Sequence, residues 1–238
     1  MDTPRRALAI FAHPDDVDFG AAGTVALWVE QGWDVRYVVV TSGQKGVQDA
    51  SEDPVAFGRL REAEQRAAAA AVGVTDVTFL GHMDSQVVYG PELQKELSRE
   101  FRRHRPHRLL AMDPAVLPTD FFVNHPDHRH VGLATLDITV TGGTTAAIFP
   151  ELLLDEGLEP WRELEETWVM GPAGGETVVD VSSTIDKKIA ALRAHASQTA
   201  EWDVEARVKE WLAARGKPFG YAYAESFRVI APRRLTTS

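Results

Sequence analysis

Apolar residues fall along this chain in short, nearly unbroken runs separated by longer polar-and-apolar stretches of helical composition. Residues 6–12 (RALAIFA) form the first run, of the kind that fits a strand buried on both faces. Residues 34–41 (DVRYVVVT) are β-branched and aromatic and read as a second strand, followed by a third over 77–80 and a fourth over 108–112. Between them, 24–30 reads as a helix closing at Gly32, and 57–72, rich in Ala, Arg and Glu, as a helix that begins after Pro54 and closes at Gly73. A further helix over 92–103 ends before Pro106. The second half is less regular. Strands are predicted over 167–170 and 177–181, a helix over 183–197 with Ser183 as N-cap, and turns at Gly142-Gly143 and over 171–175.

Strand–helix alternation of this type predicts an α/β fold: a Rossmann-like, mostly parallel sheet with helices on both faces. We expect one domain over 1–238, in which 1–140 form the core and 141–238 add strands and helices that complete it. Ligands of such sheets bind outside the carboxyl ends of the strands, where the strand order reverses. That directs attention to the loops over 12–23, 41–54, 81–91 and 113–130.

Composition narrows the chemistry. Lys and Arg number 25 against 35 Asp and Glu, a net charge of −10, which argues against a nucleic-acid backbone as partner. There is no cysteine, so disulfides, a catalytic thiol and thiolate metal sites are excluded, and a tightly held metal must sit on His and carboxylates. The start of the chain lacks the pattern of a cleaved leader, and the most apolar window, 131–150, is broken by Asp137 and Gly142-Gly143. A cytoplasmic protein with no integral membrane segment is expected.

Two clusters in the post-strand loops carry candidate chemistry: Ala12-His13-Pro14-Asp15-Asp16 and Asn124-His125-Pro126-Asp127-His128-Arg129-His130. Read alone, either is also what a capped turn looks like. Read together, His13 and Asp16 can converge on one ion if the chain turns after Pro14, and an imidazole from the second cluster completes two His and one carboxylate. That is a catalytic metal set with a position left for water.

The pairing of AHPDD after the first strand with HPDH after the fourth resembles the LmbE-like (PIG-L) family of zinc-dependent de-N-acetylases of N-acetylglucosaminyl conjugates, which includes mycothiol-pathway amidases. Further motifs are similar: Gly20 to Thr24 (GAAGT) to the family's Gly-rich turn, Thr41-Ser42-Gly43 to its T-x-G loop, and Arg61 with Glu64 to its R-x-x-E. Leu80-Gly81-His82-Met83-Asp84 is similar to L-G-x-x-D, and Lys188, Ala191-Leu192 and His195-Ala196-Ser197-Gln198 to its late helix. The resemblance implies zinc on His13, Asp16 and His128; the chemistry of a two-His, one-carboxylate site would also accept iron(II). The resemblance implies Asp15 as general base, and His125 as the group that stabilises the oxyanion or protonates the amine, oriented and charged by Asp127. Where the family often has Glu after AHPDD, this chain has Val17 and Asp18. Phe121-Phe122-Val123 stand where mycothiol-pathway members carry a Tyr, which weakens that particular substrate.

Arg61 and Asp84 are candidates for binding sugar hydroxyls at the mouth of the site, although Arg61 could equally pair with Glu64 and Asp84 cap a turn. Asp18 is a weak alternative ligand. His130 is expected to face away from the metal, and His195 either reaches the site or is structural. Arg102, Arg103, His104 and Arg105 read as a solvated face, as do residues 163–166. Trp202 and Trp211 are candidates for stacking on a sugar or sealing a homo-oligomer. The sequence therefore points to a metal-dependent hydrolase that removes N-acetyl from an N-acetylglucosamine-type small molecule. The competing readings are an amidase for a non-sugar amide or thiol conjugate and a non-catalytic binding module.

Overall fold

Every residue of the first strand after Arg6 is buried, which is possible only for an inner strand packed on both faces. A computed structural model describes residues 4–47, 49, 51–115, 123–171 and 175–231. It shows seven strands: β1 (Arg6–Phe11), β2 (Asp34–Thr41), β3 (Asp76–His82), β4 (Arg108–Met112), β5 (Glu166–Met170), β6 (Thr177–Asp180) and β7 (Ala224–Ile230). They form one sheet of order β3-β2-β1-β4-β5-β7-β6. β1 to β5 pair in parallel, and β7 runs antiparallel to both β5 and β6. The strand order therefore reverses between β1 and β4.

The helices are α1 (Asp16–Glu30), α2 (Pro54–Ala71), α3 (Pro91–His104), α4 (Pro126–Ile138), α5 (Pro150–Leu154), α6 (Ile185–Ala194), α7 (Ala196–Thr199) and α8 (Val204–Gly216). α1 and α2 carry the chain outward from β1 to β3, and α3 brings it back to β4. Right-handed crossovers then put α3 on the face opposite α1 and α2. Accordingly α6 packs on α1 and α2, and α4 packs on α3. A smaller apolar cluster outside the sheet joins Ile185, Ile189 and Leu192 of α6 to Val204, Val208 and Leu212 of α8. No described helix is long and apolar enough to cross a membrane.

β2 and β4 have the bounds that their composition predicts. α1 does not: it starts at Asp16, and the GAAGT stretch is helix interior, not a turn. Its glycines serve close approach. A Cβ on Gly20 would lie 2.7 Å from Met170 Sδ, and one on Gly23 2.8 Å from Val181 Cβ. The helix expected over 183–197 is interrupted at His195, and its N-cap is Thr184, not Ser183. α4, α8 and β7 have no counterpart in the sequence reading.

The basic run at the end of α3 is not a solvated face. Arg102 is fully buried and His104 nearly so, although Arg103 and Arg105 are exposed. The Arg102 guanidinium donates to the carbonyls of Gly142, Thr145 and Ile148 at 2.7–2.9 Å, and to that of Leu158 at 3.3 Å. It thereby gathers the irregular segment after α4 against α3. His104 Nε2 donates to the Ala7 carbonyl at 2.9 Å, and burial lowers the ring's pKa to about 4.

Replacing Arg102 by Met removes the donor and leaves four carbonyls without it, that of Gly142 in the interior and the others partly buried. We expect a loss of about 3 kcal/mol in urea unfolding. A loss below about 1 kcal/mol would show that solvent already satisfies them.

Candidate active site

Because β1 and β4 are neighbours, the chain segments that leave their carboxyl ends meet, although more than one hundred residues separate them. Asp16 opens α1 and takes the His13 backbone N–H on its Oδ2 at 2.7 Å, which closes the turn. His125 is the N-cap of α4, its Nδ1 accepting the Asp127 N–H at 3.2 Å, with Pro126 at the first helical position.

Three donor groups converge. His13 Nδ1 lies 3.1 Å from His128 Nε2, Asp16 Oδ1 3.1 Å from His128 Nε2, and Asp16 Oδ2 3.5 Å from His13 Nδ1. The remote nitrogens of both rings are already engaged with oxygens. His13 Nε2 donates to Asp127 Oδ2 at 3.2 Å and faces Asp84 Oδ1 at 3.2 Å, and His128 Nδ1 donates to Asn124 Oδ1 at 3.2 Å. An ionised carboxylate and an amide oxygen can only accept, so in the neutral rings the two nitrogens that face each other both present lone pairs. Ligand atoms of a tetrahedral metal with bonds of 2.0–2.1 Å stand ~3.3 Å apart. The donor set fits such an ion.

The electrostatics agree. Burial opposes a charge on His13, yet Asp127, Asp16 and Asp84 raise its pKa to about 11. Asp16 is likewise buried, but His128 and His13 hold its carboxyl well below the usual carboxylate range. The cluster attracts positive charge, which a metal ion supplies as well as a proton does. His125 lies within 4.8 Å of the His13 and His128 nitrogens and could enter a three-imidazole set. Its Nδ1 is spent on the Asp127 N–H, however, so in the neutral ring Nε2 carries the proton and is a donor. Burial and the neighbouring His13 lower the His125 pKa, which favours that neutral ring.

Asp15 sits between the two halves of the turn in the left-handed region, at φ 89°. Arg61 of α2 donates to Asp15 Oδ2 at 3.0 Å, to the Pro14 carbonyl at 2.7 Å and to the Gly43 carbonyl at 3.0 Å. Burial and the adjacent Asp16 push the Asp15 carboxyl up to about 6, against the pull of Arg61. Gly43 gives Arg61 its room: a Cβ there would fall 2.1 Å from Nη1. The T-x-G loop is locked by Thr41, whose hydroxyl bonds the Ala12 carbonyl and accepts the Gly43 N–H.

Several expected roles change. Asp127 does not orient His125: its carboxylate is 4.0 Å from His125 Nδ1, and it accepts from His13 Nε2 and from the backbone N–H groups of Ser85 and Val87. Arg61 and Asp84, each 5% exposed, are not at the mouth. Arg61 is turned onto Asp15, and Asp84 onto His13, the Lys45 N–H and the Ser85 hydroxyl. Nor does Arg61 pair with Glu64, which holds the Ser197 N–H and hydroxyl. Asp18 is no ligand: it is fully buried away from the cluster, bonded to Gln65 and to His195 Nε2. His130 turns to the Val87 carbonyl. Asn124 was not singled out as a site residue, though its position four residues before His128, at a helix start, could have marked it. Phe121 and Phe122 lie outside the described residues. A cavity of about 520 Å³ opens beside Asp16 and His128 and reaches Phe19, Met170, Trp211 and Arg215.

Gly43→Ala combines a left-handed φ with a clash on Arg61. We expect it to lower the free energy of unfolding by about 1–3 kcal/mol. In a double-mutant cycle, Arg61→Met should cost much less in the Gly43→Ala background than in wild type. Additive losses would show that Gly43 does not act through Arg61.

Residues 8–139 match the family model described as PIG-L: GlcNAc-PI de-N-acetylase. A 1D-myo-inositol 2-acetamido-2-deoxy-alpha-D-glucopyranoside deacetylase from Kineococcus radiotolerans is 30% identical over 292 residues, covering 97% of this chain and 78% of its own. The solved N,N'-diacetylchitobiose deacetylase from Pyrococcus horikoshii, bound to an inhibitor, superimposes with a TM-score of 0.87 at 26% identity, over 98% of this chain and 88% of that one. The 4-carboxy-2-hydroxymuconate hydratase GalB of Pseudomonas putida shares the fold, with a TM-score of 0.78 at 21% identity over 98% of this chain and 99% of that one.

Proposed function

This chain belongs to the PIG-L family, and from that premise we propose that it is a metal-dependent hydrolase that removes an N-acetyl group from an N-acetylglucosamine-type conjugate. The observation that carries the reading is the pair of imidazole lone pairs facing each other across a carboxylate, with Asp15 and a proton-bearing His125 beside them. The two deacetylases among the relatives are named for N-acetylated amino sugars, which supports the substrate class. A fold shared with a hydratase does not decide the reaction, so the assignment rests on the site and the family.

His13 Nδ1, Asp16 and His128 Nε2 would hold the ion, with zinc first and iron(II) second on the chemistry of a two-His, one-carboxylate set. A bound ion of this kind supplies a water acidic enough to ionise near neutral pH and polarises the amide carbonyl.

The remaining work falls to side chains. Asp15 has Oδ2 fixed by Arg61, and among the described residues no bond engages its Oδ1, which is free to take the proton of the attacking water. A carboxyl titrating at about 6 is a base at neutral pH and can pass the proton on. His125 Nε2–H, within 3.4 Å of the Ser85 hydroxyl in this state, donates to the carbonyl oxygen as negative charge develops on it. Water adds to the carbonyl carbon, the C–N bond breaks, and the amine leaves with the proton that Asp15 accepted. Acetate is the second product. Asp127 and Asn124 act through the imidazoles, each fixing a ring so that His13 Nδ1 and His128 Nε2 would be free to hold an ion.

The test is amine release from N-acetylglucosamine conjugates before and after chelation. Asp15→Asn should cut kcat by at least about 10³-fold, within the scale of general-base and positioning effects, while metal content stays near wild type. His128→Ala should lose the metal, and His125→Ala should keep it. Retained turnover in both Asp15→Asn and His128→Ala contradicts the mechanism, and metal loss in His125→Ala would favour the three-imidazole set. N-acetyl amides that lack the sugar hydroxyls should react more slowly, and equal rates would favour a non-sugar amide as substrate.

A further inference from the structure

Behind Asp15 runs a line of polar groups that the proposed chemistry leaves unused. Gln65 of α2, Asp18 of α1 and His195, at the junction of α6 and α7, are each 0% exposed. The Asp15 N–H donates to Gln65 Oε1 at 2.8 Å, Gln65 Nε2 donates to Asp18 Oδ2 at 2.9 Å, and His195 Nε2 donates to the same oxygen at 2.8 Å. Asp18 is also held through its main chain. Lys188 Nζ donates to the Asp18 and Phe19 carbonyls at 2.9 and 2.7 Å and to Glu225 Oε1 at 2.8 Å. Three segments distant in sequence, α2, α6–α7 and β7, thus brace the stretch from Asp15 to Phe19, and Gln65 accepts its first main-chain N–H.

The glutamine is the one link in this line that could face either way, because its oxygen and NH2 have nearly the same shape. Asp18 removes the choice. A carboxylate oxygen has no proton to offer, so it takes the NH2 end, and the Gln65 carbonyl is aimed at Asp15. Reversed, the amide would set NH2 against N–H and carbonyl against carboxylate. The accepted N–H belongs to a non-glycine residue at φ 89°, a conformation that L residues keep only when their surroundings hold it. A more relaxed φ would turn that N–H away from Gln65 and swing the Asp15 carboxylate off its place beside Asp16.

We infer that Gln65, fixed in one amide orientation by Asp18 and His195, is a positioning residue that holds Asp15 in its left-handed conformation. For turnover this rests on Asp15 being the general base. The conformational part stands without it.

Hydrogen exchange of the Asp15 amide, followed by NMR, tests the conformational part directly. The expected result is exchange at least about 10-fold slower in wild type than in Gln65→Leu, in line with loss of a buried hydrogen bond. Equal rates overturn the inference, whether or not the protein releases amine.

Gln65→Glu sets a carboxylate against Asp18. It should lower kcat about 10- to 100-fold, with KM and metal content within about twofold of wild type, as expected for a misplaced base. Adding Asp18→Asn restores an amide–carboxylate pair in the opposite sense, with His195 accepting through its other tautomer. The double variant should recover most of kcat and of the slow exchange. A double variant as impaired as Gln65→Glu, or a loss expressed in KM and metal content alone, overturns the positioning role. A wild-type protein that releases no amine from any N-acetyl amino sugar would instead defeat the hydrolase reading, and the exchange rates would still decide the fate of Gln65.

Discussion

Two imidazole lone pairs stand 3.1 Å apart with a carboxylate across from them. With both rings neutral, lone pairs at that distance repel; Asp127 and Asn124 hold the far-side protons, so an added proton on His13 or a metal ion must lie between the rings. The rest of the site follows from this constraint. It needs acceptors behind each ring, a turn that delivers His13 and Asp16 together, and a helix start that delivers His128. It also needs enough surrounding negative charge to make a divalent ion welcome.

The fold meets these needs at one place in the sheet. β1 and β4 are adjacent because the chain winds outward through β2 and β3 and then returns, so the reversal of strand order brings the two His-Pro-Asp segments together. Each segment ends in a helix start, where proline is tolerated and the first N–H groups need acceptors. The first motif faces a further problem, since Asp15 and Asp16 are neighbours with different tasks. The left-handed turn at Asp15 separates them: Asp16 enters α1 and faces the imidazoles, while Asp15 turns toward Arg61. The R-x-x-E and H-x-S-Q motifs are then intelligible as fasteners. Arg61 holds Asp15, Glu64 holds Ser197, and His195 reaches Gln65 through Asp18.

What could be read from the sequence was what local patterning fixes. The apolar runs of β1, β2 and β4 are strands buried on both faces, and the two metal motifs lie in the loops that follow such strands. What could not be read depends on contacts between distant segments. Nothing local says that GAAGT is helix interior, because its glycines answer to Met170 and Val181. The basic run after residue 101 looks solvated until the carbonyls between Gly142 and Leu158 fold over Arg102. Asp127 is two residues from His125 and yet serves His13, because its first-turn position on α4 points the carboxylate across to the other motif. Gln65 was invisible for the same reason: an amide inside a helix gains its role only when α1 and α6 arrive on either side of it.

Metal uptake by the protein tests most directly whether His13, Asp16 and His128 form a cation site. Metal-free protein would be titrated with zinc and its content determined after dialysis, with the ligand shell read by X-ray absorption. About one ion per chain is expected, bound through two imidazoles and carboxylate or water oxygen at 2.0–2.2 Å. A protein that takes up no ion, or one that keeps its ion unchanged in His128→Ala, would contradict a site on these three residues.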